Sequence, residues 1–218
     1  MDFDDLDIAA QNSLQDLKKE IQLADPATLR LLMTQARTFN AWQDKSVSIE
    51  TLNQIYQIMK MGPTSGNCCP ARLVFLTSKE AKERLQPALK PNNIEKTMSA
   101  PITVIIAHDV EFWRYAETMF PQNPAVQLGF KDNPEGAETA AFRNGSLQGA
   151  YFIIAARAVG LDCGPMSGFD NALVDEEFFA GTTFRSNFLC NLGYGNMSGT
   201  FKHLPSHRFD DICTITSL

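Results

Sequence analysis

The sequence predicts an α+β fold, in which helices flank a few separated strands. Apolar residues recur at helical spacing through the first quarter of the chain and again over residues 144–160. Short apolar runs of strand length are distributed along the rest of the chain. With 218 residues, 44% of them hydrophobic, the chain is long enough to bury one core. We predict strands over residues 72–77, 102–107, 188–193 and 212–217.

Three helices are predicted before the first strand. The first spans residues 7–23, and the second begins at Pro26, because proline is favoured in the first turn of a helix. Ser48 can cap the third helix, which Gly62-Pro63 ends. Its apolar side chains at i, i+3, i+4 and i+7 are Leu52, Ile55, Tyr56 and Met59.

The middle of the chain contains shorter elements. Ser78 is the predicted cap of a helix over residues 79–89, and Pro101 precedes the second strand. Residues 115–138 are rich in Pro, Asn, Asp and Gly without a sustained period, which predicts a long loop or lid. Asp170 is the predicted cap of a helix that ends near Phe178.

The helix predicted over residues 144–160 is apolar almost all round, with Arg157 as its single charge. Such a helix is buried on most of its faces. Gly145, Ser146 and Gly149 allow another helix to approach its backbone closely. The pattern fits a subunit interface and a central core helix equally well, and both interpretations stay open.

Composition excludes several classes of protein. The formal net charge is −6 and no basic run occurs, so a nucleic-acid partner is not expected. The chain begins with an acidic run where a signal peptide needs a basic start, and no stretch approaches 18 apolar residues, so no membrane association is expected. Five scattered cysteines predict no disulfide framework, and three histidines without C-x-x-C predict no zinc site. We expect a cytoplasmic protein.

Familiar catalytic motifs are missing from the sequence. It contains neither the G-x-G-x-x-G of a dinucleotide fold nor the phosphate-binding G-x-x-x-x-G-K-[ST]. The G-x-S-x-G elbow and H-E-x-x-H are also absent. If the chain is an enzyme, its reactive group is therefore expected to be a cofactor.

Two polar segments could hold such a cofactor. Residues 62–70 offer backbone amides, hydroxyls and the Asn67 amide to the polar edges of a flavin ring, although a plain hydrogen-bonded loop would look similar. Residues 37–42 place a cation, a hydroxyl and an amide together, which suits a phosphate because guanidinium binds phosphate oxygens bidentately. A solvated turn explains this segment as well, and Arg208 has the same ambiguity.

Taken in order, five segments resemble the motifs of the FMN-dependent nitroreductase family, over most of the chain from Arg37 to Arg208. The segments are Arg37-Thr38-Phe39-Asn40-Ala41-Trp42, Pro63-Thr64-Ser65-Gly66-Asn67-Cys68-Cys69-Pro70, Asn93-Ile94-Glu95-Lys96 before Ala100-Pro101, Pro165-Met166-Ser167-Gly168-Phe169-Asp170, and Arg208. Within the family, the first two look like the branch that contains malonic semialdehyde reductases and NAD(P)H nitroreductases.

The resemblance implies a nitroreductase-like α+β fold, with a central, mostly antiparallel sheet flanked by helices in an intertwined homodimer. It implies an FMN-binding domain over residues 26–218 and a helical extension over residues 1–25. Arg37, Thr38 and Arg208 would hold the FMN phosphate, Asn93 and Lys96 the ring edge near N1 and O2, and Pro165, Met166, Ser167 and Gly168 the region beside N5. Pro63, Thr64, Ser65 and Asn67 would approach from the other subunit.

The family resemblance also implies the reaction. NADH or NADPH would reduce the flavin at N5 and leave, and a small electron acceptor, a nitro compound, quinone or aldehyde, would then take its place. No dedicated catalytic acid is implied. Asn40, expected among the cofactor contacts, and Ser206 stand where many relatives carry basic residues, so Lys96 would be the principal cation at the reduced ring.

Three alternatives stay open from the sequence. The chain could be a non-catalytic flavin-binding module, or Cys68 and Cys69 could form a thiol redox centre, although a small buried residue fits that site better. The acceptor could be malonic semialdehyde, giving 3-hydroxypropionate. No ribose-reading residue distinguishes NADH from NADPH.

Overall fold

The computed structural model describes residues 3–216, and its contacts divide the chain into two units, residues 1–36 and 37–218. In the first unit, α1 (Phe3–Glu20) is followed by α2 (Pro26–Leu29) and one wide turn, Arg30–Thr34. Asp25 caps α2, since its carboxylate accepts from the backbone amides of Ala27 and Thr28. The domain boundary predicted after residue 25 lies inside this unit and stays a prediction.

The larger unit contains a four-stranded sheet and its flanking helices. Its helices and strands are α3 (Ile49–Met59), β1 (Ala71–Leu76), α4 (Lys79–Leu85), α5 (Pro91–Met98), β2 (Ile102–Asp109), α6 (Ala116–Met119), α7 (Ala125–Leu128), α8 (Pro134–Ala158), β3 (Asp162–Met166), α9 (Asn171–Phe179), β4 (Phe184–Gly193) and α10 (Phe209–Ile212).

The sheet has the order β1-β2-β4-β3, and every neighbouring pair is antiparallel. Ala71 of β1 pairs with His108 near the end of β2, whereas Ile102 at the start of β2 pairs with Leu192 of β4. All eight residues of β2 are buried, as expected of a strand covered on both faces. The predicted α+β fold with a mostly antiparallel sheet is confirmed.

The long helix α8 packs against α3 and all four strands. Phe152, Ala155 and Ala156 lie in the main core with Ile106 of β2. Other side chains of α8 face outward, with Phe142 53% and Leu147 42% exposed. Within one chain α8 is thus a core helix that leaves part of its apolar surface uncovered.

The three helix caps predicted from serine and aspartate are confirmed. The hydroxyls of Ser48 and Ser78 accept from the backbone amides of Thr51 and Ala81, and Asp170 accepts from Leu173. No described helix is long and apolar enough to cross a membrane.

The structure differs from the prediction at one loop, one helix and two strands. The segment 115–138 contains α6 and α7 and the first turn of α8, which begins at Pro134 because Asn133 caps it. The helix α5 and the strand β3 were not predicted. The strand predicted over residues 212–217 does not form in the described part, since Ile212 ends α10 and residues 213–216 pair with no strand. Ser217 lies outside the described residues.

Candidate active site

The segment that follows Ala36 runs along the edge strand β3. Thr38 forms a parallel bridge with Cys163, and the Phe39 amide donates to the Cys163 carbonyl at 3.0 Å. Gly164 permits this approach, because a Cβ there would lie 2.5 Å from the Phe39 carbonyl oxygen. The structure therefore fixes the backbone beside the half-buried Arg37 against the sheet.

The segment 165–168 meets the first turn of α5. The buried Asn93 donates through Nδ2 to the Gly168 carbonyl at 2.8 Å, and the Lys90 amide donates to the same oxygen at 3.0 Å. A Cβ on Gly168 would lie 2.3 Å from Asn93 Nδ2, so only glycine allows this contact. Asn93 of α5 and Gly168, which are 75 residues apart in sequence, thus lie in contact on one side of the candidate site.

Two hydrogen bonds to its carbonyl fix the backbone of Lys96, whereas its ammonium contacts a neutral side chain. Its carbonyl accepts from Trp42 Nε1 and from Asn191 Nδ2, both at 3.1 Å. Its ammonium lies 3.4 Å from Asn40 Oδ1. Burial lowers the pKa of Lys96. Lys96 forms no ion pair with the described residues. Lys96, Asn40 and Trp42 line a cavity of about 540 Å³ together with Phe201.

Asn191 and Thr103 were not predicted as site residues. Asn191 lies fully buried in β4, where its Oδ1 accepts from Thr103 Oγ1 at 2.8 Å while its Nδ2 holds the Lys96 carbonyl. A polar residue inside an apolar strand is the signal that could have identified it, because a buried carboxamide needs hydrogen-bond partners. Asn191 thus connects the centre of the sheet to α5.

Arg208 is not fixed against this group in the described structure. It precedes α10 in the exposed C-terminal segment, where its guanidinium lies 3.7 Å from Asp210. Its backbone amide donates to Asp211 at 3.2 Å. The predicted residues that the chain brings to the β3 edge of the sheet and the adjoining α5 are Arg37, Thr38, Asn40, Asn93, Lys96, Pro165, Met166, Ser167 and Gly168.

The remaining predicted residues lie in the loop over residues 63–70, which we call the cofactor loop. Thr64 Oγ1 accepts from the Cys69 amide at 3.2 Å, and the Ser65 amide donates to Asn144 Oδ1 at 2.9 Å. Asn67, which was expected to face a flavin, donates through Nδ2 to the Met119 carbonyl at 2.6 Å. The loop is therefore joined to α8 and to the end of α6.

The cofactor loop and the Lys96 group lie at opposite ends of β2. The Asp109 amide at the end of β2 donates to the Pro70 carbonyl at 2.9 Å. Lys96 instead lies near the start of β2, through its contact with Asn191, which pairs with Thr103. Six rises of about 3.4 Å between Thr103 and Asp109 separate the two groups by roughly 20 Å along the strand. The two halves of the predicted site do not meet within one chain.

The two adjacent cysteines of the cofactor loop differ in their surroundings. Cys68 is buried, and burial raises the pKa of its thiol to about 11. Cys69 is half-buried and donates through its thiol to Asn67 Oδ1 at 3.3 Å. A thiol with so high a pKa is a weak nucleophile at neutral pH, which does not favour a redox role for Cys68.

Several known proteins are similar to this chain in sequence or in structure. A protein of Ralstonia pickettii, provisionally named NADH dehydrogenase/NAD(P)H nitroreductase HadB, is 52% identical over 191 residues, 86% of this chain and 97% of that protein. A provisionally named nitroreductase of Bacillus subtilis has a similar structure, with a TM-score of 0.80, 18% identity and coverage of 88% of this chain and 100% of that one. A provisionally named nitroreductase of Exiguobacterium sibiricum, solved in complex with FMN, has a TM-score of 0.76, 20% identity and coverage of 89% and 98%.

These structural likenesses, at low identity, establish the fold. The model of the nitroreductase family matches residues 33–194, which contain β1 to β4 and all but one of the predicted cofactor-binding residues, Arg208 being the exception. The chain therefore belongs to the nitroreductase family.

Proposed function

We propose that the protein is an FMN-dependent NAD(P)H oxidoreductase that passes electrons to a small acceptor, a nitro compound, a quinone or an aldehyde. Membership of the nitroreductase family supports an oxidoreductase activity. The Ralstonia relative bears the name of an NADH dehydrogenase and NAD(P)H nitroreductase. The Exiguobacterium structure contains FMN. FMN, when bound, supplies an N5 atom that accepts and donates two electrons with a proton.

The environment of Lys96 is the single observation that carries this proposal. A half-buried ammonium without a carboxylate partner among the described residues is costly unless it meets an anion. The buried Asn191 and the half-buried Trp42 both donate to its backbone carbonyl, so its backbone position is fixed before any ligand binds. Lys96 would stabilise negative charge at the N1–C2=O edge of the ring, and Asn93 and Gly168 would border the ring beside it.

The other end of the cofactor would meet arginine. Arg37 and Thr38 lie on the segment that β3 fixes, where a guanidinium and a hydroxyl suit a phosphate. Arg208 follows Phe201 by seven residues, and Phe201 lines the cavity beside Lys96. An extended chain of that length spans at most about 25 Å, so Arg208 is within reach of the same phosphate.

The site would be completed by a second copy of the chain. Because about 20 Å of β2 separates Lys96 from the cofactor loop, a three-ring flavin beside Lys96 would not reach the loop of the same subunit. In a homodimer, Pro63, Thr64, Ser65 and Asn67 would reach the flavin held by the partner. The exposed apolar part of α8, with Phe142 and Leu147, supplies a surface for that contact.

The C-terminal arm, residues 201–216, supports an intertwined dimer. Every residue of the arm is exposed, including Phe209, Ile212 and Ile215. Among the described residues no strand pairs with the outer edge of β1, and a groove of about 1010 Å³ runs between this edge and α3. We infer that the arm of one subunit lies in this groove of the other. The strand predicted from its sequence would then find its pairing partner between chains.

We further propose a cytoplasmic location. Each of the five cysteines is unbonded, and Cys163 and Cys190 face each other in the core as thiols. Free thiols are typical of a reducing compartment.

The test of the proposed function is spectroscopic. Purified protein should carry a flavin spectrum, and the released cofactor should be FMN. Anaerobic stopped-flow mixing with NADH and with NADPH should bleach it, and a nitroaromatic, a quinone and a short aldehyde should each be compared as re-oxidants. Bleaching without re-oxidation by any acceptor, or a yellow protein that neither coenzyme reduces, would favour a flavin-binding module. A monomer that takes up no FMN would overturn the proposal.

A further inference from the structure

Three buried carboxamide side chains hold the backbone of the cofactor loop and of the first residue after it, Ala71. Gln127, Asn144 and Gln148 are only 1%, 3% and 4% exposed. None of them belongs to the motifs that identified the site. Because a buried carboxamide is costly without partners, its contacts indicate what it does.

The helix α8 fixes the two ends of the loop. Asn144 and Gln148, one turn apart, accept from the backbone amides of Ser65 and Ala71 at 2.9 and 2.8 Å. Tyr151 donates through its hydroxyl to the Pro63 carbonyl at 3.0 Å. These contacts attach the loop to the same helix that presents its outer face for the proposed dimer.

Gln127 of α7 holds the apex of the loop. Its Nε2 donates to the Gly66 carbonyl at 2.7 Å. Gly66, Asn67 and Cys69 have φ values of +53°, +50° and +38°, in the left-handed region. Non-glycine residues adopt this region at a cost and keep it only where neighbouring contacts enforce it. Gln127 supplies such a contact at Gly66, the first of these residues.

The second polar atom of Gln127 has no partner among the described residues. Its Oε1 is buried and accepts no hydrogen bond from any of them. Methionine would fill nearly the same volume without this unsatisfied acceptor, but it would also leave the Gly66 carbonyl without its donor. Because the two effects on stability oppose each other, Gln127→Met removes the contact to the loop at little net cost to the fold.

We propose that Gln127 is a positioning residue for the FMN site of the partner subunit. It would couple the segment containing α6 and α7 to the cofactor loop, so that both present one fixed surface to the flavin across the dimer. This inference rests on the proposed function. It goes further by naming a residue outside the cofactor motifs that controls FMN binding in trans.

The variant Gln127→Met tests this role. We expect its apo-protein to bind FMN about fivefold more weakly in fluorescence titrations, as for the loss of one hydrogen bond. The melting temperature of the apo-protein should change little, because loss of the donor to Gly66 offsets removal of the unsatisfied acceptor. Gln86→Met, at an exposed glutamine outside the loop, is the matched control and should change neither the FMN affinity nor the melting temperature. Unchanged FMN affinity in Gln127→Met, or a lower melting temperature that accounts for the weaker binding, would overturn the proposal.

Mixed dimers test the action in trans. Differently tagged Arg37→Met and Gln127→Met chains are co-expressed, and the dimer that carries both tags is purified. If Gln127 acts across the interface, each site combines Arg37 of one subunit with the cofactor loop of the other. One site of this dimer then contains the unaltered Arg37 and the unaltered Gln127, and the other site contains both substitutions. The titration should then show one site per dimer with the affinity of the unaltered protein. Two weakened sites would refute action in trans. Failure of the unaltered protein to bind FMN would instead refute the proposed function.

Discussion

At the scale of single residues, Lys96 is the cation that we propose to face the reduced flavin ring. We expect Lys96→Met to lower the two-electron reduction potential of bound FMN, because a cation stabilises the charge of the reduced ring. A charged hydrogen bond contributes about 1–3 kcal/mol, equivalent to roughly 20–65 mV for a two-electron couple. Equilibrium reduction against a reference dye measures the shift. The exposed Lys79→Met is the control.

The pH dependence of the potential gives a second readout of Lys96. Burial lowers the pKa of this ammonium below 10.5, so its charge is lost at a lower pH than that of an exposed lysine. The difference in potential between the unaltered protein and Lys96→Met should therefore shrink as the pH rises through that lowered pKa. A potential that is the same in both proteins at neutral pH, with FMN bound, would remove Lys96 from this role.

Cys68 offers a separate prediction about the thiol alternative. With a pKa of about 11 its thiol stays protonated at neutral pH. We expect Cys68→Ala to retain FMN and NAD(P)H oxidation, with stability lowered by about 1 kcal/mol because a small buried side chain is truncated. Steady-state turnover and thermal melting measure the two effects. Loss of turnover in a variant that keeps its flavin would restore the thiol centre as a candidate.

At the scale of elements, α5 is fixed by a buried ammonium at its C-terminal end. Lys82 of α4, 6% exposed, donates through Nζ to the carbonyls of Met98 and Ala100 at 2.8 and 2.5 Å. A cation at this end also interacts favourably with the helix dipole. We expect Lys82→Met to destabilise the protein by about 1–3 kcal/mol, because two carbonyls lose their partner. Lys79→Met on the same helix, measured by denaturant unfolding, should have almost no effect.

The same lysine makes stability depend on pH. Burial lowers the pKa of Lys82 from 10.5, so between its folded pKa and 10.5 the unfolded chain binds more protons than the folded one. Stability therefore rises with pH through this window, and below the folded pKa the titration of Lys82 no longer changes it. The stability difference between the unaltered protein and Lys82→Met should grow from neutral to alkaline pH. A constant difference would contradict this assignment.

At the scale of the whole molecule, the C-terminal arm should determine the oligomeric state. A chain that ends at Arg208 keeps the predicted phosphate ligand but loses Ile212 and Ile215, two of the exposed apolar residues of the arm. We expect this variant to dissociate at micromolar concentration in light-scattering measurements and to lose FMN, because the partner completes the site. Removal of residues 1–25 is the control and should preserve both. A shortened chain that stays dimeric with a full complement of FMN would exclude the arm as the interchain contact.

Most residues of the candidate site were predicted through the resemblance to the nitroreductase family, and their roles stay predictions. The residue types alone, arginine for a phosphate or lysine for an anionic ring edge, left a solvated turn equally possible at residues 37–42 and at Arg208. The contacts that position these residues were not accessible in the same way. Asn191, Gln127 and Lys82 act on backbone atoms far away in sequence, and no local pattern distinguishes them from other polar residues.

The sequence by itself determined the α+β class and the caps at Ser48, Ser78 and Asp170, because periodicity and capping depend on neighbouring residues. Only the tertiary structure revealed that residues 162–166 form the strand β3 although they include Gly164 and Pro165. Only the tertiary structure revealed that residues 213–216 of the arm pair with no strand in one chain. Only the tertiary structure placed Lys96 and the cofactor loop at opposite ends of β2. Strand pairing and the assembly of a site are decided by hydrogen bonds and packing between distant segments, and local sequence carries little information about such partners.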